Sequence, residues 1–159
     1  MECRNEIGVN YEANENEPIF EARICLKGNR SVGKQIANRK ELEEYVTELM
    51  SDYATETLLV VAVDAQCRVL STAIVGVGGL STVDVDVASI AKVALLSNAK
   101  AVFLSHNHPG GSCWPSTEDI QSTMLIKKAL ELFQIDIYDH MIVCPSGESY
   151  SMRQHGDIN

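Results

Sequence analysis

The spacing of apolar positions changes along the chain, and each spacing assigns an element. Met1–Pro18 is polar, with Asn and Glu dominating Tyr11–Glu17, and is expected to be a disordered lead. Ile19–Leu26 reads as a strand closed by Lys27-Gly28-Asn29. Asn38 followed by Glu41 resembles a capping box, and Leu42, Tyr45, Val46, Leu49, Met50 and Tyr53 then recur at helical spacing. Thr57–Val63 is a continuous apolar run, the mark of a strand buried on both faces. Asp64–Cys67 turns it back into Arg68–Val77 as a hairpin, with Gly76, Gly78 and Gly79 marking a break at its end. A second helix carries Val87, Ile90, Ala91, Ala94 and Leu95, with Asn98 as its C-cap. Ala101–Leu104 is a short buried strand running into Ser105-His106-Asn107-His108, and a third helix follows from about Thr117 to Phe133. Ile137–Cys144 and Glu148–Met152 are the last strands, around a Pro145-Ser146-Gly147 turn. Strands and helices alternate around at least one hairpin. The expected class is α/β, a single-domain mixed sheet flanked by helices, over residues 19–155 with a tail at 156–159.

Composition narrows the setting. The 159 residues suffice for one domain with its own core. The net charge of −9 and the absence of a dense basic run disfavour direct nucleic-acid binding. Met1–Asn10 has no apolar core of signal-peptide length, and no stretch approaches a membrane span, so a cytoplasmic location is expected. The five cysteines, Cys3, Cys25, Cys67, Cys113 and Cys144, are odd in number and widely spaced, and read as reduced thiols.

One segment carries candidate chemistry: His106-Asn107-His108-Pro109-Gly110-Gly111, then Pro115-Ser116-Thr117-Glu118-Asp119. Residues i and i+2 of a strand share a face, so both imidazoles leave the strand end on one side. The Pro-Gly-Gly loop permits a sharp return that can bring Asp119, in the first turn of the next helix, beside them. Two histidines and one carboxylate are a catalytic zinc set with a fourth position left for water, although the same donors suit other divalent metals. Ser116 and Asp119 also read as an N-cap and a first-turn acid, and a His-x-His pair alone is a weak signal.

The spacing His106-x-His108, Ser116, Asp119 reproduces the motif of the JAMM (MPN-plus) metalloproteases. Its setting, S-H-N-H-P-G-G through P-S-T-E-D, resembles the RadC-type JAB domains of that family. Glu56, Asp64, Arg68, Asn98–Ala101 and Asp139-His140 have counterparts too, and the resemblance covers Ile19 to Met152. It implies the JAB/MPN (cytidine-deaminase-like) fold and one Zn2+ per chain on His106, His108 and Asp119. It also implies Glu56 as general base and Ser116 as support for the attacking water and the oxyanion. The implied reaction is hydrolysis of peptide or isopeptide bonds, with a protein or peptide substrate that includes ubiquitin-like conjugates among the candidates. Only the resemblance selects Glu56; by itself it reads as a solvated glutamate between helix and strand. The domain is expected to stand alone, without the helix-hairpin-helix region that precedes it in longer relatives.

The chain departs from the family pattern at Ala73, at Val85–Ser89, and at Ser112-Cys113-Trp114, where Asp-Pro-Thr is usual. These positions bear on substrate recognition. Two rival readings stand beside hydrolysis: a non-catalytic metal-binding interaction module, and a DNA-repair or mobile-element-associated RadC-like protein. Cys113 reads as an ordinary loop thiol rather than a further ligand, and Trp114 as either a substrate contact or a hydrophobic cover. His140 reads as a structural partner of Asp139, and His155 has no evident partner. The glycines at 76, 78 and 79 make no dinucleotide fingerprint.

Overall fold

A computed structural model describes residues 33–50, 53–78 and 86–159. The expected lead over Met1–Pro18 and the strand over Ile19–Leu26 lie outside the described residues. Helix α1 (Arg39–Met50) begins as the sequence indicates: Asn38 Oδ1 accepts from the Glu41 backbone at 3.0 Å, and Glu41 reaches back to the Ala37 amide at 2.9 Å. Strand β1 (Thr57–Val63) turns into β2 (Val69–Val77). The turn is fixed by Asp64, whose Oδ1 accepts from the Gln66 and Arg68 amides at 2.8 and 3.0 Å. Helix α2 (Val87–Leu96) follows, capped by Asp86. Then come β3 (Ala101–Asn107), α3 (Thr117–Glu131), β4 (Asp136–Val143), β5 (Ser149–Ser151) and a short α4 (Met152–His155).

The five strands form one mixed sheet in the order β2-β1-β3-β4-β5, in which only the β3–β4 pair is parallel. The period of two in β1 divides the core. Leu58, Val60 and Ala62 pack with Ile90 and Ala94 of α2 and with Ile126 and Leu130 of α3. Leu59, Val61 and Val63 face the other way, onto Leu42, Val46 and Met50 of α1. Every residue of β1 and β3 is buried; β1 is an unbroken apolar run, while β3 is apolar through Leu104 and ends in the buried polar residues Ser105, His106 and Asn107. Edge strand β2 instead alternates, leaving Leu70 and Ile74 exposed. Gly33 lies so close to β2 that a Cβ there would meet the Val69 carbonyl oxygen at 1.9 Å, which only glycine avoids. The expected α/β class with a mixed sheet flanked by helices is the observed one.

Three local expectations change. Met152, expected to close the last strand, instead opens the short helix α4, because Ser151 caps it through the Gln154 amide and Gly156 ends it in the left-handed region at φ 84°. Beyond it, Ile158 is buried with the α2/α3 side of the core. The reading of all cysteines as reduced thiols is corrected: Cys113 and Cys144 are joined as a disulfide, with Cα atoms 5.6 Å apart. They lie 31 residues apart in sequence, so no local spacing marks them; the pairing of β3 with β4 brings their ends together. Cys67 is a free thiol, and Cys3 and Cys25 lie outside the described residues. Among the described residues no helix is long and apolar enough to cross a membrane.

Candidate metal centre

The site forms where β3 leaves the sheet. His106 is fully buried and points to the α2/α3 side, the face its neighbour Leu104 occupies two residues earlier. His108 lies just beyond the strand, its amide held by the Val143 carbonyl of β4 at 3.0 Å. Asp119 comes from the first turn of α3. The antiparallel register pairs Leu58 with His106, so stepping back two residues on β1 sets Glu56 across from His108. One donor atom from each of Glu56, His106, His108 and Asp119 lies within 4.8 Å of the others. The structure thus brings together the three expected ligands and the expected base.

Hydrogen bonds fix which ring nitrogen of each histidine carries its proton. The Thr123 hydroxyl donates to the Asp119 carbonyl at 2.6 Å, since a carbonyl can only accept. Its oxygen, 2.6 Å from His140 Nδ1, must therefore receive that nitrogen's proton. His140 Nε2 is then an acceptor, and it takes the proton of His106 Nδ1 at 2.7 Å. On the other side, His108 Nδ1 donates to the Ser112 carbonyl at 2.7 Å. With both rings neutral, the two Nε2 atoms are left as acceptors, and they face each other at 2.9 Å. Two lone pairs at that distance repel unless a cation or a proton lies between them. The donor set therefore fits a bound metal ion, held by two neutral imidazoles and a carboxylate.

Asp119 is part of the cap of α3 and also faces the two histidines. Ser116 caps α3, its Oγ accepting from the Asp119 amide, and the Asp119 Oδ2 accepts from the Ser116 amide at 2.7 Å and its hydroxyl at 2.6 Å. The other oxygen, Oδ1, is 3.5 Å from His106 Nε2, and Oδ2 is 3.5 Å from His108 Nε2. The cap thus orients the carboxylate toward the histidines.

Charge follows from these contacts. Burial pushes the Asp119 carboxyl up, but the neighbouring His108 and His106 rings and the hydrogen bonds from Ser116 outweigh it, holding it well below the usual carboxylate range. Asp119 would accept from a proton on His108 Nε2, and this raises His108 above an ordinary histidine, against its partial burial. Burial, reinforced by His140, drives His106 well below the ordinary value. Burial also lowers His140, to about 4. His140 and His106 are accordingly neutral at physiological pH, the state in which imidazole binds metal.

Some functional positions escaped the sequence reading. Asn107, between the two histidines, is buried on the opposite side. Its Oδ1 accepts from the Thr57 amide at 2.8 Å, and its Nδ2 donates to the Tyr53 and Thr55 carbonyls at 3.0 and 3.1 Å. It clamps the segment that carries Glu56 onto β3. Its placement inside the His-x-His motif was the available signal. Thr123 gave none. The expected Asp139–His140 side-chain pair is not formed, because adjacent strand residues point to opposite faces. Asp139 instead accepts from the Ser151 hydroxyl and the Arg153 amide, while His140 joins His106. Cys113 is no ligand; its sulfur is committed to Cys144. Trp114 is exposed, and His155 does have a partner, stacking on Tyr150 at 4.0 Å between ring centroids.

Comparison with known proteins supplies the family context. The family model described as the RadC-like JAB domain matches residues 36–157. A UPF0758 protein of Pelodictyon phaeoclathratiforme is 33% identical over 87% of this chain and 62% of its own length. One from Chlorobaculum parvum is 31% identical over 86% of this chain and 61% of its own. One from Pseudomonas entomophila is 33% identical over 75% of this chain and 52% of its own. The chain therefore spans between half and two thirds of the length of these relatives.

Proposed function

The chain belongs to the RadC-like JAB domain family, and from that membership and its donor geometry we propose that it is a zinc-dependent hydrolase of peptide or isopeptide bonds. The observation that carries the proposal is the facing pair of bare Nε2 atoms on His106 and His108, with the Asp119 carboxylate beside them and Glu56 within reach. His106, His108 and Asp119 would hold the metal. When bound, zinc supplies Lewis acidity that brings the pKa of a coordinated water to about 7.

The chain's own residues do the rest. Glu56 takes the proton of the attacking water and delivers it to the nitrogen of the leaving amine, so the scissile C–N bond breaks as a neutral amine departs. The Ser116 hydroxyl turns from Asp119 to donate to the oxyanion of the tetrahedral intermediate. Asn107 holds the Glu56 segment in place during both proton transfers. Ubiquitin-like conjugates are substrates to be tried first; membership of the family supports them and the geometry is compatible with any amide that reaches the site.

The test is cleavage of a panel of peptide and isopeptide conjugates by zinc-loaded parent and by Glu56→Gln. The reading expects the variant to keep its zinc and to lose about 10²–10⁴-fold in rate. Equal rates would remove Glu56 from its role. Zinc binding with no cleavage of any conjugate would favour the interaction-module reading instead.

A further inference from the structure

The loop that orients His108 also walls an open groove of about 530 Å³, lined by Trp114, Tyr150, His155, Glu43, Glu148 and Ser149. We propose that this groove binds a cationic side chain, lysine or arginine, of the polypeptide substrate, next to the metal centre. The inference rests on the hydrolase reading for its substrate and adds the residue class that the substrate must present.

Three observations carry it. First, the groove has an aromatic floor. The rings of Trp114 and Tyr150 are 5.2 Å apart, and His155 stacks on Tyr150 at 4.0 Å. Trp114 leaves 70% of its surface in solvent, a large apolar ring face held out by its loop. Second, the two formally charged side chains at the rim, Glu43 and Glu148, are both acidic. The nearby guanidinium of Arg39, one turn before Glu43 on α1, is engaged by the Gln154 side chain. An aromatic face with carboxylates at its edge attracts a cation and offers nothing to an anion. The chain's net charge of −9 acts in the same direction.

Third, the groove is tied to the reaction centre. The Ser112 carbonyl accepts from His108, and Trp114 follows two residues later, at most about 7 Å along the backbone. The Cys113–Cys144 bond anchors the intervening residue to the end of β4. The groove and the metal centre thus share one loop, and the proposal has a lysine near the scissile bond occupying the groove.

Trp114 is the single tryptophan, so its emission reports on the groove directly. The experiment uses the full chain carrying Glu56→Gln, titrated with acetyl-Gly-Lys-Gly-amide and with its norleucine counterpart, which keeps the four-carbon chain and lacks the ammonium. A saturable change in Trp114 emission is expected with the lysine peptide, with affinity at least about fivefold weaker for norleucine. Glu43→Gln combined with Glu148→Gln, exposed or partly exposed substitutions that leave the core untouched, should erase most of that preference. Equal titrations by the two peptides, or no change with either, would overturn the proposal. Binding is read here without turnover. Lysine binding beside an inactive parent would sink the hydrolase reading alone, and cleavage by the parent without lysine binding would sink the groove alone.

Discussion

His140 Nε2 lies 2.7 Å from His106 Nδ1, and both rings are sealed from solvent. This contact commits the His106 proton to the inner nitrogen and turns Nε2 toward the site. Replacing His140 by Leu leaves the His106 Nδ1–H without its acceptor and frees the ring to change tautomer. Zinc affinity, read by competition with a chromophoric chelator, is expected to fall about 10–100-fold. His140→Gln, which can still accept, should recover part of the loss. An unchanged affinity in the leucine variant would show that the contact only packs the core.

Asn107 is expected to act on catalysis more than on metal. Asn107→Ala removes three hydrogen bonds to the backbone between Tyr53 and Thr57. Urea unfolding should register a loss of about 1–3 kcal/mol, since the Thr57 amide it serves is left buried without that acceptor. Zinc stoichiometry should hold while the cleavage rate falls, because the clamp positions Glu56 and not the ligands. A variant that loses zinc in step with activity would contradict this division.

Burial, together with a 2.8 Å hydrogen bond to Asp157, pushes the Tyr150 phenol up to about 12. Its folded value is raised above the unfolded value of 10, so its contribution to stability is complete below pH 10 and is lost as pH rises to about 12. Thermal melts between pH 9 and 12 should show that decline in the parent and a shallower one in Tyr150→Phe. Parallel declines would mean that Tyr150 titrates as it does in the unfolded chain.

The disulfide makes a countable prediction. Thiols are measured after unfolding without reductant. Cys113→Ser should then raise the number by one relative to the parent, because Cys144 is released and Cys113 was not counted. Were both cysteines thiols in the parent, the same substitution would lower the number by one.

Local patterns in the sequence carried far into the fold. The run Thr57–Val63 is β1 residue for residue, and the Ser116/Asp119 cap starts α3 where expected, because strand burial and helix capping are set within a few residues. The His-x-His spacing likewise placed both rings on one face. The features that stayed hidden depend on distant pairings. Thr123, His140 and Asn107 acquire roles only when β3 lies between β1 and β4. The Cys113–Cys144 bond needs the same neighbours, and composition pointed the wrong way. Glu56 was selected by family resemblance, and the register of β1 against β3 is what puts it near the histidines.

The facing acceptors of His106 and His108 are the centre of the account, and metal content tests them most directly. Parent chain and His106→Ala/His108→Ala are purified without a metal-affinity tag and assayed by mass spectrometry for bound metals. The account predicts about one zinc per parent chain and none in the double variant. A parent chain that stays empty after zinc is added back would contradict it, leaving Ser116 and Asp119 as the cap of α3 and nothing more.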